Sequence, residues 1–265
     1  MTRFRTLAVL VALIIALRLC SGQAADAAAQ SPAELVALGD AAYTARRQKE
    51  ALEYFSRAIA ADPANYDALW KASRSEIDLA EIAASRSALE ALLAAGQQHA
   101  EAAVRARPAD AEGHFSLARA AGRRALSAGG VRERIRFSRT IRESALAALK
   151  INSTHAGAMH VLAMWNAEIM RVSGLSRTFA RAFLGADAFN LASWDEAQRL
   201  LESAVQLEPA RIIHRLDLAG IYADRDDSAR AREQYEWIAS APVVDPNDDL
   251  YKRQAGERLK RLRAR

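Results

Sequence analysis

The sequence predicts an all-α protein folded as a right-handed helical solenoid, and two observations support this fold class. The 265 residues include only 12 Gly and 6 Pro, whereas the strong helix formers Ala, Leu, Glu and Arg recur in long runs. In addition, the stretch EALEYFSRAIAADP at residues 50–63 nearly returns as EAQRLLESAVQLEP at residues 196–209. A helical sequence that is repeated within one chain indicates stacked helix pairs that share a continuous core.

The N-terminal segment has the order of a secretory signal peptide. Two Arg in MTRFR precede the apolar run TLAVLVALIIAL, and small and polar residues follow. Gly22 and Ala24 supply the small residues that a signal peptidase recognises, which predicts a signal peptide over residues 1–24. Export to the bacterial periplasm follows from this prediction. An uncleaved membrane anchor is the second interpretation and lipidation of Cys20 the third, because Arg18 and Leu19 stand where a lipobox has small residues.

Removal of this segment changes the inferences from composition. Cys20 is the only cysteine, so the mature chain would have no disulfide. Loss of Arg3, Arg5 and Arg18 lowers the formal net charge from +5 to +2, so the basicity of the precursor overstates any attraction to nucleic acid. We expect a short disordered linker over 25–31 and a single domain over 32–265.

The repeated helix contains a spacing that recurs along the chain. Ala51, Phe55 and Ala58 lie on one helix face, and Pro63 stops the helix. The small residues allow a neighbouring helix to approach closely while Phe55 fills the gap. The same spacing gives Gly96, Ala100, Ala103 and Pro108; Thr140, Ser144, Ala147 and Asn152; Ala197, Leu201, Ala204 and Pro209; and Ala231, Tyr235 and Ile238.

Each of these helices should be the second of a pair. Gly39 precedes Ala51 by twelve residues, and Ala219 precedes Ala231 by the same distance. Leu, a small residue and Tyr, followed by Ala, Phe, Ala and Pro over 34 residues, resembles the tetratricopeptide repeat. The end repeats, about 32–65 and 212–245, have this standard length. The sequence thus predicts about five tetratricopeptide-like pairs plus a C-terminal capping helix.

The middle pairs are longer than the standard repeat. The distances between the terminator positions 63, 108, 152 and 209 exceed 34 residues by 11, 10 and 23. The first expansion is helix-forming and predicts lengthened helices. In the second, Gly129 and Gly130 predict a loop followed by a basic helix. The third, residues 171–193, predicts a short extra helix and loop that carry Phe179, Phe183 and Phe189 before Trp194.

The expanded region resembles the regulator-of-microtubule-dynamics family and its bacterial relatives. The family pattern is a Trp-containing helix, then Gly-Leu-Ser, a Leu-Phe-Gly stretch and an acidic start to the next helix. Where the family has Gly-Arg before the Trp, this chain has Ala163 and Met164. The resemblance extends from about 39 to 250 and implies a tetratricopeptide-like fold and protein binding. The matching positions are Leu162, Trp165, Glu168, Gly174, Leu175, Ser176, Phe183, Leu184, Gly185 and 194–197.

The sequence contains none of the common catalytic or cofactor motifs. It has no GxSxG, P-loop or GxGxxG pattern, and none of the five His forms HExxH. We therefore predict a non-enzymatic protein with no catalytic residue, metal or cofactor. Glu133 and Glu143 interleave with the Arg residues of 132–142, and no aromatic stacking motif accompanies them, which argues against nucleic acid as a partner.

Six residues are candidates for binding a partner on the concave face of the solenoid. In the second pair Ala72 and Ser73 take the interface positions, which turns Trp70 and Arg74 inward. Aromatic side chains would supply contact area and Arg would bind carboxylates, so we expect an extended peptide with an acidic segment or a free C-terminus. The same side chains could instead form salt bridges between helices and fill the superhelix interior. The set is Trp70, Arg74, Phe115, Arg119, Arg123 and His160.

Two functions remain open from the sequence. The favoured one is an exported scaffold or adaptor for protein–protein contacts, with membrane contact only if the N-terminal segment stays uncleaved or is lipidated. The alternative is a small-ligand-binding helical protein with an apolar pocket under the 171–193 insertion. A groove running over several pairs would favour the scaffold, and a closed apolar cavity under the insertion would favour the ligand-binding protein.

Overall fold

The computed structural model describes residues 30–172 and 190–264. Within these residues it contains eleven helices and no strand. The predicted signal peptide over 1–24 lies outside the described residues, as do Cys20, most of the 25–31 linker and residues 173–189 of the insertion. The helices are α1 Pro32–Thr44, α2 Gln48–Ala61, α3 Tyr66–Ala80, α4 Arg86–Ala106, α5 Ala111–Ser127, α6 Val131–Ile151, α7 Ala156–Arg171, α8 Trp194–Leu207, α9 Ile212–Asp224, α10 Ser228–Ser240 and α11 Asp248–Arg263.

The helices form five consecutive pairs followed by α11, which confirms the predicted all-α solenoid. Each helix packs on the next one in the chain, apart from α11, which packs on both α10 and α9. The odd-numbered helices also contact one another along the stack, α1 with α3, α3 with α5, α5 with α7 and α7 with α9. The odd-numbered helices therefore form one continuous layer of the stack, which we call the inner layer.

The small and large residues at the predicted spacing form the interface between paired helices. Ala51, Phe55 and Ala58 are each fully buried. A Cβ atom built on Gly39 would lie 2.3 Å from Cε1 of Phe55, so the absent side chain at 39 makes the space that the ring occupies. This contact fixes how closely α1 approaches α2.

The prediction for the third copy of the spacing, in α6, is wrong by one residue. The buried face of α6 carries Ile141, Ala145 and Ala148, whereas Ala147 is only partly buried. The steps between the buried positions are still four and three, so the rule holds but its starting point moves from Thr140 to Ile141. Ile141 supplies apolar area that a threonine at the same place would not.

The two end pairs turn in the same way, and the middle pairs are extended as the sequence predicts. Arg46 and Asp226 both adopt the left-handed region, with φ of 60° and 63°. Each stands five residues before the interface alanine of its pair, Ala51 or Ala231, which confirms that these turns are equivalent. The expansions of the second and third pairs lengthen their outer helices, since α4 and α6 each have 21 residues, against 14 in α2. Gly130 caps α6 as expected.

The largest apolar cluster runs from Ala118 on α5 to Ala255 on α11. Trp165 belongs to it, is 5% exposed and donates through Nε1 to the carbonyl oxygen of Ser138 at 2.9 Å. Smaller clusters join the first three helices. Among the described residues, no helix is both long and apolar enough to cross a membrane.

Candidate partner-binding surface

An open hollow lies between α3 and α5 on the inner layer. Its volume is about 230 Å³, which includes space open to solvent. Four of the six predicted partner-binding residues line it, namely Trp70, Arg74, Phe115 and Arg119, together with Ser73, Ile77 and Ser116. The helical register inferred from the sequence therefore brings these four side chains to one place. Arg123 and His160 lie on the same inner layer but do not line the hollow.

Arg74 is held by aromatic rings. Its guanidinium carbon lies 3.5 Å from the ring centroid of Tyr43 and 5.2 Å from that of Trp70. The Trp70 indole in turn donates to Asp67 Oδ1 at 3.3 Å. Nε of Arg74 is buried and has no hydrogen-bond partner, and within 30–172 and 190–264 no carboxylate forms an ion pair with this side chain. The hollow thus contains a positioned cation that lacks a counter-ion.

Arg119 and Arg123 are paired with acids of the neighbouring helix. Arg119 donates to Asp78 and lies 3.7 Å from Glu81 Oε1, while Arg123 donates to the same Glu81 oxygen. Burial lowers the pKa of Arg119, but the charges of Asp78 and Glu81 outweigh this effect and raise its pKa above the ordinary value. These two guanidinium groups are therefore already neutralised by inter-helix salt bridges, the second of the two roles that the sequence allows.

The two acids also accept from tyrosines. Tyr43 Oη donates to Asp78 Oδ2 at 2.7 Å, and Tyr251 Oη on α11 donates to Glu81 Oε2 at 2.7 Å. The side chains of Asp78 and Glu81 are only 7% and 6% exposed. Because carboxyl groups buried to this extent need several hydrogen-bond partners, the tyrosines and arginines together offset the cost of burying these two side chains.

Phe115 closes one side of the hollow by packing against the next pair. Its ring is tilted over that of His155, with the centroids 4.7 Å apart. A Cβ atom on Gly157 would lie 2.6 Å from Cζ of Phe115. The glycine therefore lets the ring sit close to the start of α7, and this fixes the width of the hollow at that side.

His160 belongs to a separate polar chain between α7 and α9. Its Nδ1 lies 2.6 Å from Nδ1 of His214, and its Nε2 lies 3.0 Å from Asp217 Oδ2. Nε2 of His214 lies 3.1 Å from Glu208 Oε2. Desolvation by burial lowers the pKa of His214 to about 4. Both ring nitrogens of His160 are thus engaged within the protein, so it serves the contact between two inner helices.

Sequence reasoning missed the acids that occupy this inner layer. Asp78 follows Arg74 by four residues and Glu81 by seven, so both lie on the helix face already assigned to Arg74. The helical register that predicted the positions of the arginines could therefore also have predicted the positions of their partners Asp78 and Glu81. Among the described residues, no group of three or more His, Cys, Asp or Glu side chains is arranged to hold a metal ion.

Comparisons with known proteins place this geometry in a family. The family model for regulator of microtubule dynamics protein 1-3 matches residues 35–263. No curated protein matches the chain in sequence. Among solved structures, the thermophilic TPR protein TTC0263 of Thermus thermophilus has a TM-score of 0.60 at 19% identity, over 85% of this chain and 98% of that chain.

Two further structures show weaker similarity. MamA has a TM-score of 0.44 at 15% identity, over 80% of this chain and 97% of that chain. YrrB, a TPR protein with an unusual peptide-binding site, has a TM-score of 0.41 at 13% identity, over 84% of this chain and 91% of that chain. The similarity to TTC0263 supports the tetratricopeptide fold. Because the family match runs from within α1 to the end of α11, the chain belongs to the regulator of microtubule dynamics protein 1-3 family.

Proposed function

We propose that this protein is a non-enzymatic scaffold that binds an extended segment of a partner protein on its concave face, with a partner carboxylate on Arg74. The observation that carries the proposal is the missing counter-ion of Arg74 in the hollow, next to Arg119 and Arg123, which both have theirs. A partner carboxylate would bind a guanidinium group that the protein already holds in place.

The surroundings of Arg74 favour a peptide over a free ion. Trp70 and Phe115 line the same hollow, so they offer apolar area beside the cation. Tyr43 fixes the guanidinium group by a cation–π contact at 3.5 Å, which reduces the entropy lost on binding. An acidic side chain followed by an apolar residue, or a C-terminal carboxylate with its own apolar side chain, satisfies both features.

Charge reversal at Arg74 tests the binding site. Tagged mature protein would be used to capture partners from its own envelope fraction, and the captured proteins would be identified and then titrated individually. We expect Arg74→Glu to weaken binding of a true partner at least about tenfold, because it places a carboxylate opposite a carboxylate. Arg232→Glu is the matched control, since Arg232 is exposed on the outer helix α10 and the charge change is the same.

The outcome is decided by the difference between these two variants. Equal binding by Arg74→Glu and the unaltered protein would overturn the proposed site. Equal loss in both variants would show a non-specific charge effect and would overturn it too. Trp70→Ala should also weaken binding, and circular dichroism should show that all three variants keep their helix content.

Export to the periplasm is part of the same proposal and rests on the N-terminal sequence. The order of two Arg, an apolar run and small residues supports cleavage after Ala24. Mass determination of the protein from a periplasmic extract should then give a chain that begins at Ala25. A full-length chain found in the membrane fraction would favour the uncleaved anchor, and a lipid-modified Cys20 would favour lipidation.

A further inference from the structure

A polar contact joins the two ends of the solenoid. Asn247, which precedes α11, donates through Nδ2 to the backbone carbonyl oxygen of Asp78 on α3 at 3.0 Å. Its Oδ1 accepts from Nε2 of Gln48 on α2 at 3.2 Å. Asn247 is 4% exposed, and its bond to Asp78 is buried. One side chain near the C-terminus thus bridges the first pair and the second.

The first turn of α11 extends this contact. Tyr251 donates to Glu81 Oε2 at 2.7 Å and is 6% exposed. Burial and the charge of Glu81 raise the pKa of Tyr251, so the phenol keeps the proton that it donates. Arg46 lies 3.9 Å from Asp249 at the exposed rim. We call residues 244–251 the closing segment.

The closing segment is held in shape by its own hydrogen bonds. The buried carboxylate of Asp248 accepts from the backbone N–H groups of Val244 and Asp245 at 2.8 and 2.7 Å. Arg211, directly before α9, pairs with Asp245 at 2.9 Å, which ties the segment to the last repeat. The segment therefore moves as part of the C-terminal end and does not need to fold when it meets α3.

The end-to-end contact differs in chemistry from the contacts between neighbouring pairs. Neighbouring pairs are joined by apolar clusters, such as the one around Phe55 and the one from Ala118 to Ala255. Of the apolar clusters formed by the described residues, none contains members of both the first pair and α11. A few hydrogen bonds, each with a small net contribution, hold the two ends together. This contact can therefore open while the helix pairs stay folded.

The closing segment also touches the charged groups beside the candidate binding hollow. Glu81, which accepts from Tyr251, is the acid that neutralises Arg123 and lies near Arg119. Asp78, whose carbonyl accepts from Asn247, carries the carboxylate that pairs with Arg119. Opening of the contact removes one hydrogen-bond donor from Glu81 and another from Asp78, and it gives solvent access to this side of the inner layer.

We propose that residues 244–251 form an autoinhibitory latch, which covers the side of the inner layer that carries Asp78 and Glu81 in the free protein and opens when a partner extends from the adjacent hollow onto that side. The opening and closing are a property of the chain alone. The inhibitory role rests on the proposed function, because it requires that a partner uses the concave face.

The double variant Asn247→Ala/Tyr251→Phe tests the latch, because it removes its three hydrogen bonds to α2 and the α3 region and keeps the aromatic ring. The matched control is Tyr222→Phe, which removes the same kind of bond, from a buried tyrosine to Glu202 at 2.8 Å, between two adjacent helices of the stack. We expect the double variant to raise amide hydrogen exchange in α1 and α2 at least about tenfold and to increase the radius of gyration in solution scattering. Exchange in α6 to α10 should stay unchanged.

Each result of this experiment decides the proposal. Unchanged exchange in α1 and α2 would overturn it, and so would a uniform rise along the whole chain or an equal effect of Tyr222→Phe. The partner identified by capture should bind the open double variant at least about threefold more tightly than the unaltered protein. Equal affinity, with exchange showing an open latch, would overturn the inhibitory role. If no partner depends on Arg74, the proposed function fails, and the exchange measurement still decides whether the latch opens.

Discussion

His160 and His214 meet through their Nδ1 atoms at 2.6 Å, while their Nε2 atoms face Asp217 Oδ2 at 3.0 Å and Glu208 Oε2 at 3.1 Å. Each of the three contacts in this chain needs one proton, because two lone pairs that face each other repel. Two neutral imidazoles supply only two protons. Neutral imidazoles therefore satisfy two of the three contacts, and these hydrogen bonds link α7 to α9.

The stability of the protein should decrease in acid because of His214. Desolvation by burial lowers its pKa to about 4 in the folded chain, whereas an unfolded histidine titrates near about 6.5. Between these two pH values the unfolded chain binds more protons, so the free energy of unfolding falls as the pH falls through this window. The loss should approach about 2 to 3 kcal/mol at pH 4. Urea unfolding followed by circular dichroism at several pH values between about 7 and about 4.5 measures it.

Two histidine variants separate the contribution of His214 from the contributions of the other titratable groups to the pH dependence of stability. His214→Gln has no proton to gain, so its free energy of unfolding should depend less on pH than that of the unaltered protein. His114→Gln is the control, because Nε2 of His114 contacts the backbone oxygen of Pro108 at 2.9 Å and the residue lies near the surface. If His214→Gln retained the full pH dependence, the buried histidine chain would not be its source.

Gly39→Ala should destabilise the first helix pair. The added Cβ would lie 2.3 Å from Cε1 of Phe55, whose ring is fully buried. We expect a loss of about 2 to 3 kcal/mol in urea unfolding. Gly122→Ala in α5 is the control, because no atom lies within 4 Å of its added Cβ, and it should gain about 0.5 to 1 kcal/mol from helix propensity.

A second substitution tests whether the loss comes from the contact with the ring. Phe55→Leu shortens the side chain that meets position 39, so the double variant Gly39→Ala/Phe55→Leu should lose less stability than the sum of the two single variants. Strictly additive losses would show that the two positions do not interact and would contradict the assigned packing.

Most of the fold could be predicted from the sequence because a repeat encodes it locally. The spacing of Ala51, Phe55 and Ala58 lies within a single helix and states directly which face is buried. The error in the third pair, where Ile141 replaces Thr140 at the start of the buried face, has a local cause. In the alanine-rich stretch SALAALK, small residues occupy neighbouring positions, so two registers fit equally well until the packing of Ile141 decides between them.

The candidate site could be predicted only in part, for the same reason. The helical register alone predicted that Trp70, Arg74 and Arg119 share one face, and in the structure they line one hollow. The contact between Asp78 and Asn247 joins residues 169 positions apart. It depends on the rotation that accumulates over all five pairs, which no local pattern contains. The division of the cations into Arg74 without a counter-ion and two paired arginines depends on this same long-range arrangement.

Replacement of Arg119 tests whether the paired cations stabilise the fold. Arg119→Met keeps most of the side-chain volume but leaves Asp78 without its arginine at a site where that acid is 7% exposed. Removing one partner of a buried ion pair typically costs about 3 to 5 kcal/mol, because the remaining charge stays buried. We expect a loss in this range in urea unfolding at neutral pH. Asp78→Asn in the same chain should recover part of it, since the amide carries no charge.

An exposed arginine provides the comparison for this prediction. Arg199 pairs with Glu196 on the same helix, and its side chain is 62% exposed. Arg199→Met should therefore change the free energy of unfolding by less than about 0.5 kcal/mol. A similarly small effect of Arg119→Met would mean that Asp78 and Glu81 do not need this cation in the free protein. Arg119 would then be available to a partner carboxylate, and the binding surface would extend from Arg74 across the hollow.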